Sequence, residues 1–189
     1  MSAFWLSLGV IFVAELGDKS QLMAMAFATR YRATHVLIGI TVATAIVHAG
    51  SVLVGNLVAE SLPTNLINIL AGLAFFAFAG WTIRGDELTD DEEARARQTN
   101  RSPILAVGIA FFLAELGDKT MLATVTLATT EGWFGTWLGS TVGMVAADAL
   151  AIVVGRQLGT RLPERVVKIG AAALFILFGV VLVIEGIRG

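Results

Sequence analysis

The chain has 189 residues, of which 56% are hydrophobic and 15% charged, with a formal net charge of −2 and a mean hydropathy of +0.79. Soluble domains average about 25% charged residues, so the composition excludes an ordinary soluble domain, and the absence of a basic excess excludes a nucleic-acid partner. There is no cysteine, which removes disulfides and thiolate ligands and leaves oxygen, nitrogen or thioether sulfur to hold any metal.

Six apolar stretches follow in order: Ala3 to Thr29, His35 to Ala59, Leu66 to Ile83, Ile104 to Thr129, Trp133 to Leu158 and Val166 to Ile187. About 20 residues, at roughly 1.5 Å each, cross a bilayer core of about 30 Å, so six membrane helices are predicted. The first lacks the basic lead of a signal peptide and resumes after the polar stretch from Glu15 to Gln21, which marks it as a retained span. Neither half of that span is long enough to cross alone, so the polar stretch is predicted near mid-membrane. Six acids and four arginines crowd between Arg84 and Arg101, and that segment is read as a solvated linker.

Offset by 100 residues, Phe12 to Thr29 matches Phe112 to Thr129 at ten of eighteen positions, including Glu-Leu-Gly-Asp-Lys entire. The register continues without a gap through the second span of each half, pairing Gly39 with Gly139, Thr41 with Thr141, Gly55 with Gly155, and Leu62-Pro63 with Leu162-Pro163. The predicted fold is therefore an all-α integral membrane protein, with six transmembrane helices arranged as two three-helix repeats. They occupy residues 1–84 and 103–189, joined by a cytoplasmic hydrophilic linker over 85–102. An odd number of spans per repeat makes the repeats inverted. Arg30, Arg32, Arg84, Arg95, Arg97, Arg101, Arg156, Arg161, Arg165 and Lys168 fall on one face and only Arg188 on the other, which predicts both termini on the non-cytoplasmic side. Small residues every four positions, from Gly139 through Gly143, Ala147 and Ala151 to Gly155, predict a close-packed helix seam.

Glu15 and Asp18 stand at i and i+3, as do Glu115 and Asp118, a spacing that puts each pair on one side of a helix. If the halves pack about a pseudo-two-fold axis, the four carboxylates face a common centre. A charge at the bilayer centre costs at least about 2.5–3.5 kcal/mol, so four retained acids call for compensation or a use. Lys19 and Lys119 compensate in part through i,i+4 pairs with Glu15 and Glu115. Four carboxylates less two ammonium groups leave −2, the charge that one divalent cation or two protons cancel. The four acids are thus candidate metal ligands.

Gly17 and Gly117, between the acids, lower helix stability and allow either a local unwinding that frees carbonyls or a close helix contact. Gln21 and Met121 lie one turn further, offering an amide oxygen in one repeat and a thioether in the other. The thioether tilts preference toward a transition metal, while carboxylates suit Mn²⁺, Ca²⁺ and Mg²⁺ alike. Met23 and Met25 are read as packing or lipid-facing. Ser20 and Thr120 either bond back to a helix carbonyl or line the site. His48 and Asp148 hold corresponding positions in the second spans and are candidate proton-coupling or supporting residues. Glu131 and Glu185 fall at membrane ends and are read as solvated.

The two motifs, Glu15-Leu16-Gly17-Asp18-Lys19-Ser20 and Glu115-Leu116-Gly117-Asp118-Lys119-Thr120, resemble the paired E-x-G-D-[KR]-[ST] signature of a family of cation/proton exchangers. That family includes bacterial manganese exporters and the Golgi and chloroplast manganese/calcium transporters. The resemblance covers nearly the whole chain and implies exchange of Mn²⁺ or Ca²⁺ for protons, with Glu15, Asp18, Glu115 and Asp118 as the metal-binding acids. It implies no enzyme activity and no cofactor, and the short loops suit a bacterial inner-membrane member. A small-metabolite exporter that binds an amino group through the same acids is the rival reading.

Overall fold

The computed structural model describes residues 2–84, 89–97, 102–158 and 164–188, without the side chains of residues 95–97, 156–158, 164, 166 and 167. Of the features read from sequence, Arg101, Arg161, Leu162-Pro163 and the side chains of Arg95, Arg97 and Arg156 lie outside the described residues.

The described chain is all helical: α1 (Ser2–Glu15), α2 (Lys19–Ala28), α3 (Ala33–Ser61), α4 (Thr64–Arg84), α5 (Asp90–Arg97), α6 (Pro103–Glu115), α7 (Lys119–Thr130), α8 (Trp133–Leu158) and α9 (Glu164–Arg188). Four of these, α3, α4, α8 and α9, are long and apolar enough to cross a membrane. The first and fourth apolar stretches are each split in two, α1 from α2 and α6 from α7, at the repeated motif. Local chemistry sets several ends. Leu62, extended before Pro63, closes α3, and Pro103 opens α6 where a missing N–H costs nothing.

The outer surface departs from that of a soluble protein. Leu53, Leu57, Leu105, Ile109, Leu177 and Ile187 are exposed, while Glu15, His48, Thr120, Asp148 and other polar groups are buried. So apolar an exterior, around a core that mixes Phe27, Phe75 and Phe111 with buried ionisable groups, is stable only where the surroundings are hydrocarbon.

The repeat seen in sequence recurs in the packing. Helix α1 lies against α8 and α6 against α3, while α2 touches α8 and α7 touches α3. Glycines permit the first of these approaches. A methyl on Gly143 would stand 2.6 Å from the Leu8 carbonyl oxygen, and one on Gly39 would stand 2.9 Å from that of Ile104. Gly139 meets the Phe4 carbonyl in the same way, so the residue pairs 39/104 and 139/4 are related by the offset of 100. Thr44 donates to the Met144 sulfur at 3.3 Å, placing those two equivalent residues side by side where α3 crosses α8. Helices α4 and α9 pair through Phe75, Phe78, Phe175 and Phe178, with ring centroids 5.8–6.0 Å apart. Met23 is fully buried in the core, so of the two roles open to it packing is the one it takes.

The reading of the linker requires correction. The acidic linker is not uniformly solvated: residues 90–97 form α5, which packs on α2 and α6. Asp90, Asp91 and Glu93 are exposed, but Glu92 is buried. Thr89 and Glu92 form a reciprocal capping box, Thr89 N–H donating to Glu92 Oε2 at 2.8 Å and Glu92 N–H to Thr89 Oγ1 at 3.3 Å.

Candidate metal-ion site

Each motif builds the same broken turn. Helix α1 ends at Glu15; Gly17 adopts φ 77°, and Asp18, extended at φ −87° and ψ 166°, precedes the first residue of α2. In the second copy Gly117 has φ 81° and Asp118 φ −74° and ψ 164°. The left-handed glycine is what the turn requires, since an L side chain there loses about 1–2 kcal/mol. The space around Gly117 is open, with nothing within 4 Å of an added Cβ, so backbone strain acts alone. Gly117→Ala is therefore expected to lower thermal stability in detergent by about 1–2 kcal/mol, and Gly117→Asn by less. Equal melting temperatures for wild type and Gly117→Ala would show that the turn does not hold this backbone.

Because the chain breaks here, the helical i, i+3 spacing of Glu15 and Asp18 does not apply. The acids flank a gap between two helix ends instead. Glu15 and Glu115 close α1 and α6, whose terminal carbonyls carry the negative end of the helix dipole and favour a cation. Asp18 and Asp118 start α2 and α7, where the positive end favours an anion.

The glycine N–H of each break is satisfied by the residue four positions on. Gly17 donates to Gln21 Oε1 at 2.8 Å and Gly117 to the Met121 sulfur at 3.1 Å. Gln21 Nε2 also donates to the Ala147 carbonyl at 2.8 Å, tying α2 to α8. The amide and the thioether thus occupy one structural role in the two repeats. Ser20 and Thr120 also have equivalent roles. Ser20 Oγ donates to Glu15 Oε2, and Thr120 Oγ1 to Glu115 Oε2 at 3.0 Å. Both hydroxyls line the site. The second oxygen of each glutamate, Oε1, is buried without a hydrogen-bond partner among the described residues.

The ion pairs differ from those expected. Where Glu15 with Lys19 and Glu115 with Lys119 were expected within one helix, the pairs found among the described residues join the two repeats to each other and the first repeat to the linker. Lys119 Nζ lies 2.6 Å from Asp18 Oδ1, and Lys19 Nζ lies 3.6 Å from Asp118 Oδ1 and 3.2 Å from Glu92 Oε1. The broken turn is the reason, since a lysine that starts a new helix no longer shares a continuous helical face with the glutamate that ended the previous one. The pairing is reciprocal, 19 with 118 and 119 with 18.

Within this framework Glu15, Glu115 and Asp118, all buried, present carboxylate oxygens within 4.8 Å of one another, close enough for one ion to touch all three. Asp18 lies outside that trio. Asp148 and His48 are both fully buried, and neither has a hydrogen-bond partner among the described residues. Asp148 follows Ala147, whose carbonyl accepts from Gln21 beside the first break, which puts it on α8 next to the same polar centre.

Outside the spans, Glu92 was missed by sequence reasoning. Burial alone would raise its carboxyl, but the Thr89 N–H, the Lys19 charge and the Thr89 hydroxyl outweigh it and hold the group below the usual carboxylate range. The signal was present, because Thr89-Asp90-Asp91-Glu92 has the spacing of a capping box and announces a helix in the linker.

Residues 3–90 and 103–189 match the family model described as divalent cation/proton antiporter GDT1. The chain belongs to this family. It is 32% identical over 180 residues to a protein of Vibrio cholerae described as a candidate manganese exporter, covering 94% of this chain and 88% of that one. A GDT1-like protein of Synechocystis is 32% identical over 200 residues, covering 96% of each chain. The chloroplastic GDT1-like protein 2 of Oryza sativa is 31% identical over 208 residues, covering 95% of this chain and 60% of its own length. No solved structure matches. The family and the apolar helices make this GDT1-family chain a multi-pass membrane protein of the transporter class.

Proposed function

We propose that this chain exports a divalent metal cation, Mn²⁺ before Ca²⁺, from the cytoplasm of a bacterium in exchange for protons. The observation that carries the reading is the convergence of Glu15, Glu115 and Asp118 at the break between helix ends, with a buried oxygen on each glutamate that has no partner among the described residues. Three carboxylates form a hard oxygen donor set suited to Mn²⁺ and Ca²⁺. With the Met121 sulfur accepting from Gly117, preference for Mn²⁺ rests on the manganese export ascribed to the Vibrio relative.

The proposed cycle uses the chain's own charges. Asp18 stays with Lys119 as an internal ion pair and Lys19 stands beside Asp118, while the Oε1 atoms of Glu15 and Glu115 are buried with no hydrogen-bond partner among the described residues. These two glutamates carry the exchange: both bind the cation as carboxylates, and both take up a proton when it leaves. The centre keeps its net charge in both forms, which limits the cost of holding it in hydrocarbon. One cation therefore exchanges for two protons. Asp148 and His48 are the groups through which protons pass between this centre and the aqueous phase. In this reading α1 with α2, and α6 with α7, are the broken spans of two inverted three-span repeats, with both termini outside the cytoplasm and the site near the midplane.

Proteoliposomes test the coupling. Protons leave vesicles that are acidic inside, and the reading expects such vesicles to accumulate Mn²⁺ several-fold over vesicles without a gradient and to lose the excess on addition of a protonophore. Mn²⁺ flux indifferent to the gradient would overturn the exchange. Ca²⁺ added in competition reports the ion preference directly.

A further inference from the structure

The two halves of the centre are not used alike. Lys119 holds Asp18 at 2.6 Å, but Lys19 stands at 3.6 Å from the equivalent Asp118. What differs is a third group: Glu92, from the linker helix and with no counterpart in the second repeat's motif, takes Lys19 at 3.2 Å. It is the aspartate with the looser lysine, Asp118, that joins the three-carboxylate cluster.

We infer that Glu92 is a positioning residue for cation binding: by sharing the Lys19 ammonium it draws that charge off Asp118 and selects Asp118, rather than Asp18, as the third cation ligand beside Glu15 and Glu115. Glu92 is built for the task. Its Oε2 is fixed by the Thr89 N–H at 2.8 Å and hydroxyl at 3.0 Å, and its Oε1 is left to face Lys19. Its side chain is 10% exposed and that of Lys19 16%, which keeps the pair from being screened as a surface ion pair is. An ammonium resting wholly on Asp118 competes with a cation for the same oxygen. One shared with a second carboxylate competes less. The linker helix α5, seated on α2 and α6, thereby breaks the symmetry of the repeats, and its departure would return Lys19 to Asp118.

This inference rests on the three-carboxylate reading of the site, and the test separates the two. Equilibrium Mn²⁺ binding is measured on the whole chain in detergent, with Mn²⁺ uptake measured in parallel. Glu92→Gln, which keeps an oxygen for the capping box, is expected to raise the half-saturating Mn²⁺ concentration about tenfold, the factor that ~1.4 kcal/mol carries. The maximal uptake rate is expected to stay within about twofold. In a Lys19→Met background the same change is expected to have less than about a twofold effect, because the charge through which Glu92 acts is gone. Asp91→Asn, an exposed neighbour on α5, is expected to match wild type. The inference is overturned if Glu92→Gln binds Mn²⁺ as wild type does, or if its full effect persists without Lys19, which would mean Glu92 attracts the cation directly. Should Glu115→Gln still bind and carry Mn²⁺ normally, it is the site reading that falls, whereas an inactive Glu115→Gln beside an unaffected Glu92→Gln removes only the role of Glu92.

Discussion

Glu115→Gln is expected to lower Mn²⁺ transport at least about a hundredfold while leaving the protein folded. The substitution keeps the size of the side chain and an oxygen for the Thr120 hydroxyl to donate to, so the turn and its hydrogen bond at 3.0 Å survive. What disappears is one of three negative charges that meet within 4.8 Å. Outer-shell partners of metal ligands already cost about 10–100-fold when removed, and a ligand charge in a low-dielectric site costs more. Glu15→Gln is expected to match, because Ser20 holds Glu15 as Thr120 holds Glu115. Thermal stability without Mn²⁺ is expected to stay level, since the metal-free glutamate carries a proton in the proposed cycle and the amide that replaces it is likewise neutral. The aspartates then distinguish three acids from four. Asp118→Asn, inside the cluster, is expected to weaken Mn²⁺ binding more than Asp18→Asn, whose carboxylate is held by Lys119. Equal loss from the two would favour a symmetrical four-acid site, and Glu115→Gln transport within about threefold of wild type would sink the site altogether.

How far the site was legible without coordinates depends on what each residue's role rests on. Membrane class, the duplication and the candidacy of Glu15, Asp18, Glu115 and Asp118 as ligands follow from burial cost and repetition, both properties of the linear string. Gly17 and Gly117 were legible as weak points, but two outcomes were open, and the positive φ at both shows that the helix is broken. Partner choice was not legible. Helical spacing joins Lys19 to Glu15 and Lys119 to Glu115, yet once the turn opens each lysine belongs to a new helix and reaches the aspartate of the other repeat. Gln21 and Met121 illustrate the same limit: as free side chains they are plausible ligands, but an opened turn has an N–H to satisfy, and each sits four residues on to accept it. Glu92 was hidden differently. In a run of four acids the capping-box spacing marks Glu92 as the one that meets Thr89, but only contact of α5 with α2 and α6 sets its burial beside Lys19.

The lysines differ in a way that predicts the largest loss of stability. Lys119→Met leaves the Asp18 carboxylate buried opposite an apolar side chain, where Lys119 had stood at 2.6 Å. Breaking one partner of a buried pair costs about 3–5 kcal/mol, because the remaining charge is neither solvated nor balanced. Removing both charges costs far less. The double variant Lys119→Met with Asp18→Asn is therefore expected to recover most of the melting temperature in detergent, with a coupling of about 2 kcal/mol or more between the two sites. Lys19→Met is expected to cost less than Lys119→Met, since Lys19 is partly exposed and stands 3.6 Å from Asp118, further than Lys119 stands from Asp18. If Lys119 served only to pack, the double variant would melt no higher than Lys119→Met alone. If the two lysines were equivalent, as a strict two-fold repeat would have them, Lys19→Met and Lys119→Met would melt together. A gap between them, closed when Asp18 is also neutralised, identifies the Lys119–Asp18 pair as the fixed side of the centre and the Lys19–Asp118–Glu92 group as the side that yields to a cation.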